Sequence, residues 1–314
     1  MIVSGAGGFV GLPVLARLAR ADTDVHALCT RDPPPALAGV RWHRVDLADG
    51  AAVERLMGEL APERLVHLAW CTEHGRFWHA PENVSWVERS LCLLRAFVRH
   101  GGRRLVMLGT CAEYDWRTAA GPLVESSSPL APTTLYGIAK DALRRLAGAY
   151  AEQQGVEFAW GRLFLLYGPR EAPGRLVPSV VRSLLAGQPV ATGGSERVRD
   201  LMHVDDVAGA VVALLDSPVV GAVNIASGVG VTVGELLDRI VAITGRGELV
   251  RRGALPDRPG EPPLLVADVA RLREEVGYRP RVPLSDGLAS AVSWWRSAEA
   301  ERAAAKPAAE AHAG

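Results

Sequence analysis

The sequence predicts an α/β fold: a doubly wound parallel sheet with a smaller C-terminal α/β lobe. Three observations carry that expectation. A glycine-rich turn, Gly5-Ala6-Gly7-Gly8-Phe9-Val10-Gly11, follows an apolar strand at the N-terminus. Short apolar runs then alternate with amphipathic stretches, as buried strands separated by crossover helices do. The 314 residues are 48% hydrophobic and 22% charged, enough for a sizeable core.

Taken in order, Met1 to Ser4 reads as a short strand, and Leu12 to Ala21 as a helix with apolar residues at helical spacing. Val25 to Cys29 and Val40 to Val45 read as strands, and Val53 to Leu60 as a helix. Arg64 to Trp70 is an apolar strand, Val84 to Arg99 a long helix, and Leu105 to Gly109 a strand. Tyr136 to Gln154 is a second long helix, and Val156 to Phe164 a strand. The second half is less regular. Leu176 to Leu185, Asp205 to Leu215 and Val233 to Thr244 read as helices, with Asp205 or Asp206 near an N-cap, and Gly221 to Ala226 as a strand. Proline and glycine gather at Gly253 to Pro263, an ordered-loop candidate, and the last helix is expected to end near Trp295-Arg296. Residues 297–314, rich in Ala and Glu, read as a frayed helix or disordered tail.

Lys plus Arg and Asp plus Glu both number 35, so no global field draws the chain to nucleic acid or an anionic membrane. Any anionic ligand needs a local cluster of cations. Cys29, Cys71, Cys92 and Cys111 are far apart and form no C-x-x-C pair, which argues against zinc and against a disulfide framework. Reduced thiols fit a cytoplasmic protein. Met1-Ile2-Val3 enters the glycine turn with no basic segment ahead of it, so no signal peptide is expected. No apolar run reaches the ~18 residues needed to span a bilayer.

Gly5, Gly8 and Gly11 follow a strand and open a helix, the context a dinucleotide site requires. Gly5 permits a tight turn, Gly8 a close backbone approach to a pyrophosphate, and Gly11 close packing of helix on sheet. The helix N-terminus then faces the phosphates. A carboxylate after the second strand would select NAD(H), but that place holds Cys29-Thr30-Arg31, and the first carboxylate is Asp32. Arg31 can pair with a 2′-phosphate, so NADP(H) is favoured and NAD(H) remains possible; the alternative is that Arg31 is a solvated loop charge. Asp46 and Leu47, after the third strand, are expected beside the adenine.

Tyr136 and Lys140 stand four residues apart on a helix and so share a face. An unperturbed phenol titrates near ~10. A neighbouring ammonium and a nicotinamide cation favour the phenolate, and reaching about 7 would take roughly 4 kcal/mol. Thr110, ending the strand Leu105 to Gly109, can hydrogen-bond a substrate oxygen and orient Tyr136. These three are the expected catalytic set.

With these elements the chain resembles the extended short-chain dehydrogenases/reductases: nucleotide-sugar epimerases, dehydratases and 4-ketoreductases. The resemblance runs from Ile2 to about Trp295. It includes His67-Leu68-Ala69, Glu125 to Pro132, Tyr167-Gly168-Pro169 and Arg199 to Val207. Val223 to Gly228, Arg258 to Glu261 and Ala267-Asp268-Val269 complete it. It implies a Rossmann domain from 1–170 with 198–227, and a sugar-nucleotide lobe from 171–197 with 228–296. It implies a cofactor set of Gly5, Gly8, Phe9, Val10, Thr30, Arg31, Asp46, Leu47, Leu68, Ala69, Tyr136, Lys140 and Leu163. Arg199 and Arg258 would grip a substrate diphosphate, with Cys111 and His74 beside the sugar. His74 and His79, near Glu73, read as a metal site, as polar pocket lining or as plain surface loop, and no metal is assigned. A homodimer through the two long helices is expected, and no nucleic-acid or membrane partner. Two departures matter. The 4,6-dehydratases carry Asp-Glu after the catalytic Thr, where this chain has Cys111-Ala112, with Glu113 one residue late. A helix Asn is replaced by Trp86, with Asn83 one turn earlier. The implied activity is reduction of a nucleotide-linked 4-keto-6-deoxyhexose; alternatives are a C4 epimerase with retained NAD and a nonenzymatic NADP sensor.

Overall fold

The computed structural model describes residues 1–19, 24–31, 37–118, 120–255 and 260–310, with 303–310 as helical backbone only. Strand β1 (Ile2–Ser4) enters the glycine turn and α1 (Gly11–Leu18). Then come β2 (Val25–Cys29), β3 (Val40–Arg44), α2 (Gly50–Leu60), β4 (Arg64–His67) and α3 (Glu82–Arg99). β5 (Arg104–Thr110), α4 (Leu135–Gln153) and β6 (Glu157–Leu163) follow. The second half holds β7 (Leu165–Tyr167), α5 (Leu176–Leu185), β8 (Val190–Ala191), β9 (Val198–His203), α6 (Val204–Asp216) and β10 (Gly221–Ile225). It ends with β11 (Gly230–Thr232), α7 (Val233–Thr244), β12 (Val250–Arg251), β13 (Leu264–Leu265) and α8 (Leu284–Glu310).

Seven parallel strands form the main sheet in the order β10-β6-β5-β4-β1-β2-β3. The order reverses between β1 and β4, so a crevice opens outside their carboxyl ends. Side chains alternate across the strands and both faces are buried, because helices cover both. Val3, Val66, Val106 and Val223 pack with Val14 and Leu15 of α1 and Val207 and Val211 of α6. Ile2, Leu65, Leu105 and Met107 pack with Met57 of α2, Leu93 and Phe97 of α3 and Leu143 of α4. A third core joins Val181 of α5, Leu237 of α7 and Leu288, Val292 and Trp295 of α8.

The smaller sheet centres on β9, which pairs antiparallel with β11 and parallel with β13 and β7, while β8 pairs with β12. β7 and β9 come from segments that the sequence allots to the nucleotide domain, yet they pair in this second sheet. β7 has too few residues to show a period, and the six-residue β9 reads Val-Arg-Asp-Leu-Met-His, with no apolar alternation. Two details differ from expectation. His203, not an aspartate, is the N-cap of α6, because β9 runs straight into the helix and its imidazole accepts from the Asp205 N–H at 3.3 Å. Asp206 is structural: it accepts from the Tyr278 hydroxyl at 2.9 Å and from the backbone N–H groups of Arg281 and Val282. The last helix also passes Arg296 without a break and continues to Glu310. Glu299 pairs with Arg182 of α5 at 2.8 Å, and the Ala- and Glu-rich composition itself favours helix.

Candidate active site

All seven strands of the main sheet point the same way, so their carboxyl ends bring distant segments to one edge. Gly5 turns there with φ +68°, and the Gly8 N–H donates to the Gly5 carbonyl at 3.0 Å. A Cβ on Gly5 would lie 2.6 Å from the Ala69 nitrogen, and one on Gly11 would lie 2.3 Å from the Gly5 oxygen. Glycine at both positions therefore lets β1, β4 and α1 meet. α1 begins after Val10 with no side-chain cap and no acid in its first turn, which leaves its N-terminal N–H groups for an anion. Gly7 and Gly8 are exposed, and Phe9 and Val10 half-buried. This turn fits the pyrophosphate of a dinucleotide.

The other expected cofactor residues line the same edge. Thr30 and Arg31 are exposed just beyond β2; Asp32 and Arg258 lie outside the described residues. Asp46 is exposed beyond β3 and accepts from the Ala48 N–H, while Leu47 is buried in the core. Leu68 and Ala69 leave β4, and Leu163 ends β6 opposite Thr110 of β5.

Tyr136 sits in the first turn of α4, capped by Thr134, which accepts from Gly137 N–H. Gly137 has no room for a Cβ, which would meet the Ala112 oxygen at 2.4 Å. α4 packs there against the turn after Thr110, whose side chain lies close enough to the phenol to favour its ionised form. Burial dominates at Tyr136 and holds its phenol above the ordinary range, against the Thr110 hydrogen bond and the Arg175 charge. Burial opposes the depression toward 7 expected from a neighbouring ammonium and a nicotinamide cation, because a phenolate out of water is disfavoured. Lys140, one turn on, donates to the Leu108 carbonyl at 2.8 Å, and burial pulls its ammonium down to about 7. Lys140 and Lys306 are the only two lysines beside 33 arginines.

Aromatic rings wall this set. Phe77, Trp78 and Trp70 meet the Tyr136 ring edge-on at centroid distances of 4.9, 5.8 and 6.4 Å, and Trp116 meets Trp78 at 6.0 Å. The indole N–H of Trp116 is spent on the Cys111 carbonyl and that of Trp70 on Asn83 Oδ1. Asn83, fully buried, also donates to the carbonyls of Phe77 and Ala80. Trp86 stacks on Trp70 at 6.0 Å.

The residues after Thr110 form a short turn. Cys111 is buried and its thiol is pushed up to about 12 by burial and by Glu113. Glu113 accepts from the Thr110 N–H at 2.8 Å, from Trp160 Nε1 at 3.0 Å and from Arg162 Nε at 2.9 Å. It closes a capping box with Thr110. Its acceptor sites are occupied, so it braces the catalytic strand end. The sequence did not reveal this brace, because its donors come from β6.

Arg199 of β9 lies near enough to Cys111 for their charges to interact. Its guanidinium bonds Glu261 at 3.3 Å and the Pro262 carbonyl at 3.0 Å, and burial lowers its pKa from the ordinary guanidinium value. His74 is exposed and lies against Gly174, while Glu73 pairs with Arg76. Among the described residues no group of His, Cys, Asp or Glu could hold a metal ion, and no helix is long and apolar enough to cross a membrane.

A dinucleotide turn and a Thr–Tyr–Lys set on one sheet edge define an enzyme of the extended short-chain dehydrogenase/reductase kind. The profile of the NAD dependent epimerase/dehydratase family matches residues 1–226, and the chain belongs to that family. It is 30% identical to a dTDP-glucose 4,6-dehydratase of Streptomyces griseus, over 94% of this chain and 93% of that one. It is 27% identical to a dTDP-4-dehydro-6-deoxy-D-allose reductase of a Streptomyces species, over 94% and 96%. The crystal structure of a dTDP-glucose 4,6-dehydratase from Streptomyces venezuelae with NAD bound superposes with a TM-score of 0.82 at 26% identity, covering 94% of this chain and 96% of that one.

Proposed function

We propose that the protein is a nucleotide-sugar 4-ketoreductase that favours NADP(H) and reduces a nucleotide-diphosphate 4-keto-6-deoxyhexose. One observation carries this reading. Thr110, Tyr136 and Lys140 are assembled, but the two positions after Thr110 hold a thiol and a methyl, and Glu113 is engaged by three donors. Elimination of water needs an acid and a base there; ketone reduction needs one proton donor. A nicotinamide dinucleotide bound at the Gly5 turn supplies the hydride. Tyr136, neutral through burial, protonates the new alkoxide oxygen. Thr110 orients that oxygen and the phenol, and Lys140 holds the cofactor ribose. Phe77, Trp78 and Trp116 offer carbon surface, which suits a sugar face lacking a hydroxyl. Arg31, exposed beyond β2, supports the NADP(H) preference as a 2′-phosphate partner.

In this reading residues 1–170 with 198–227 bind the dinucleotide, and 171–197 with 228–296 form the substrate lobe. Arg199 and Arg258 grip the diphosphate, with Arg199 exchanging Glu261 for the ligand. The chain acts as a homodimer through α3 and α4, where Val84, Ile138 and Leu146 are exposed.

Deoxythymidine-, guanosine- and cytidine-diphosphate 4-keto-6-deoxyhexoses test the activity. Wild type is expected to oxidise NADPH with at least one of them, and Tyr136→Phe to lose that turnover. No turnover, or no effect of Tyr136→Phe, overturns the reading. A C4 epimerase would use the same three residues and retain NAD through purification, so the cofactor extracted from purified protein separates the two.

A further inference from the structure

The ammonium of Lys140 has an aromatic neighbour that the sequence did not suggest. Its Nζ lies 3.8 Å from the centroid of the Trp70 indole and 6.0 Å from that of Trp160. Trp70 is held in that pose from two sides, by the stack with Trp86 and by its N–H donated to Asn83 at 2.9 Å. Asn83 is itself fixed by the Phe77 and Ala80 carbonyls. Trp86 of α3 thus supports the ring that faces the ammonium.

We infer that Trp70 is a positioning residue for Lys140: its indole face favours the charged form of the buried amine, against burial, and holds it in place beside Tyr136. An ammonium over an indole face is stabilised by the ring quadrupole, and the effect grows when water is excluded. Other charged and titratable groups around Lys140 are few. Glu113, after β5, favours the ammonium, but Arg162 of β6 already engages it and Arg144 of α4 stands 3.9 Å away. His67 of β4 is held neutral by burial, and Tyr136 is neutral. Arg89 of α3 lies over the Trp86 ring, at 5.2 Å. The indole is thus the group in direct contact that favours the charged form, beside the Leu108 carbonyl. The inference rests on the role given to Lys140 in the proposed function, but its test needs no substrate.

With only two lysines, growth on lysine carrying 13C at Cε labels Lys140 and Lys306 alone. In the full-length protein the Hε protons of Lys140 are expected upfield of those of Lys306, shifted by the indole ring current. Their pH titration should centre near 7. In Trp70→Leu the upfield shift should vanish and the titration move to lower pH, with proton affinity about threefold to tenfold weaker. Trp70→Phe should restore part of both. A Lys140 signal without the upfield shift in wild type overturns the inference, whether or not the variants fold. So does a titration that is unmoved, or raised, in Trp70→Leu. If every candidate sugar fails as substrate while the shift and titration behave as stated, the proposed function fails and the inference stands.

Discussion

At the scale of single residues, burial drives Tyr136 and Lys140 toward their neutral forms, the phenol by raising its pKa and the ammonium by lowering it to about 7. In the proposed ketoreductase the phenol therefore enters the reaction carrying its proton. Tyr136→Phe should cut turnover by about 100-fold or more while leaving cofactor affinity within a factor of about three; steady-state rates and calorimetric titration of NADPH check both halves. Arg31→Ser should weaken NADPH binding about tenfold and leave NADH binding unchanged. Equal effects on both cofactors would place Arg31 away from the 2′-phosphate. Thr110, Tyr136 and Lys140 were legible in the sequence because an i, i+4 pair and a strand end are local patterns. Trp70 and Asn83 were not, since their function is contact with Lys140 and with the Phe77–Ala80 loop.

At the scale of elements, two buried braces hold the catalytic edge. Glu113 ties the end of β5 to Arg162 and Trp160 of β6. Removing its charge in Glu113→Gln leaves Arg162 buried without its counter-ion, a loss of about 3–5 kcal/mol measurable by urea unfolding. His67 joins three elements: Nδ1 lies 2.6 Å from Ser4 Oγ on β1 and Nε2 lies 2.8 Å from Ser90 Oγ on α3. Burial lowers its pKa from 6.5 to about 3. The folded state thus binds a proton more weakly than the unfolded one, and this contribution to stability is full above about 6.5 and is lost as pH falls toward 3. Over that window wild type should lose up to about 1.4 kcal/mol per pH unit more than His67→Gln; parallel unfolding curves at pH 7 and pH 4 would contradict it. Most elements were readable from apolar periodicity. The strands of the smaller sheet were not, because most have two or three residues and the six-residue β9 shows no apolar alternation, so they gain their identity only from the partners they bond.

At the scale of the whole molecule, zero net charge means that the proposed anionic substrate has to be held by local cations, and the proposed self-association by apolar surface. Val84 of α3 and Ile138 and Leu146 of α4 are each about half exposed. The proposed homodimer buries them, so wild type should sediment with the mass of two chains and Leu146→Glu with that of one. Wild type sedimenting as a single chain would remove the proposal.

The sequence by itself determined the parallel sheet, the glycine turn after β1 and the Tyr136–Lys140 pair one helical turn apart on α4. Each of these is written in neighbouring residues: alternating hydrophobicity, glycine at spaced positions, a Tyr and Lys one helical turn apart. Only the tertiary structure decided that Glu113 is a brace, that the phenol is held neutral, that Arg199 is paired with Glu261 and that an indole faces Lys140. Those outcomes depend on burial and on partners many residues away, and desolvation becomes visible only when the chain has closed around the group.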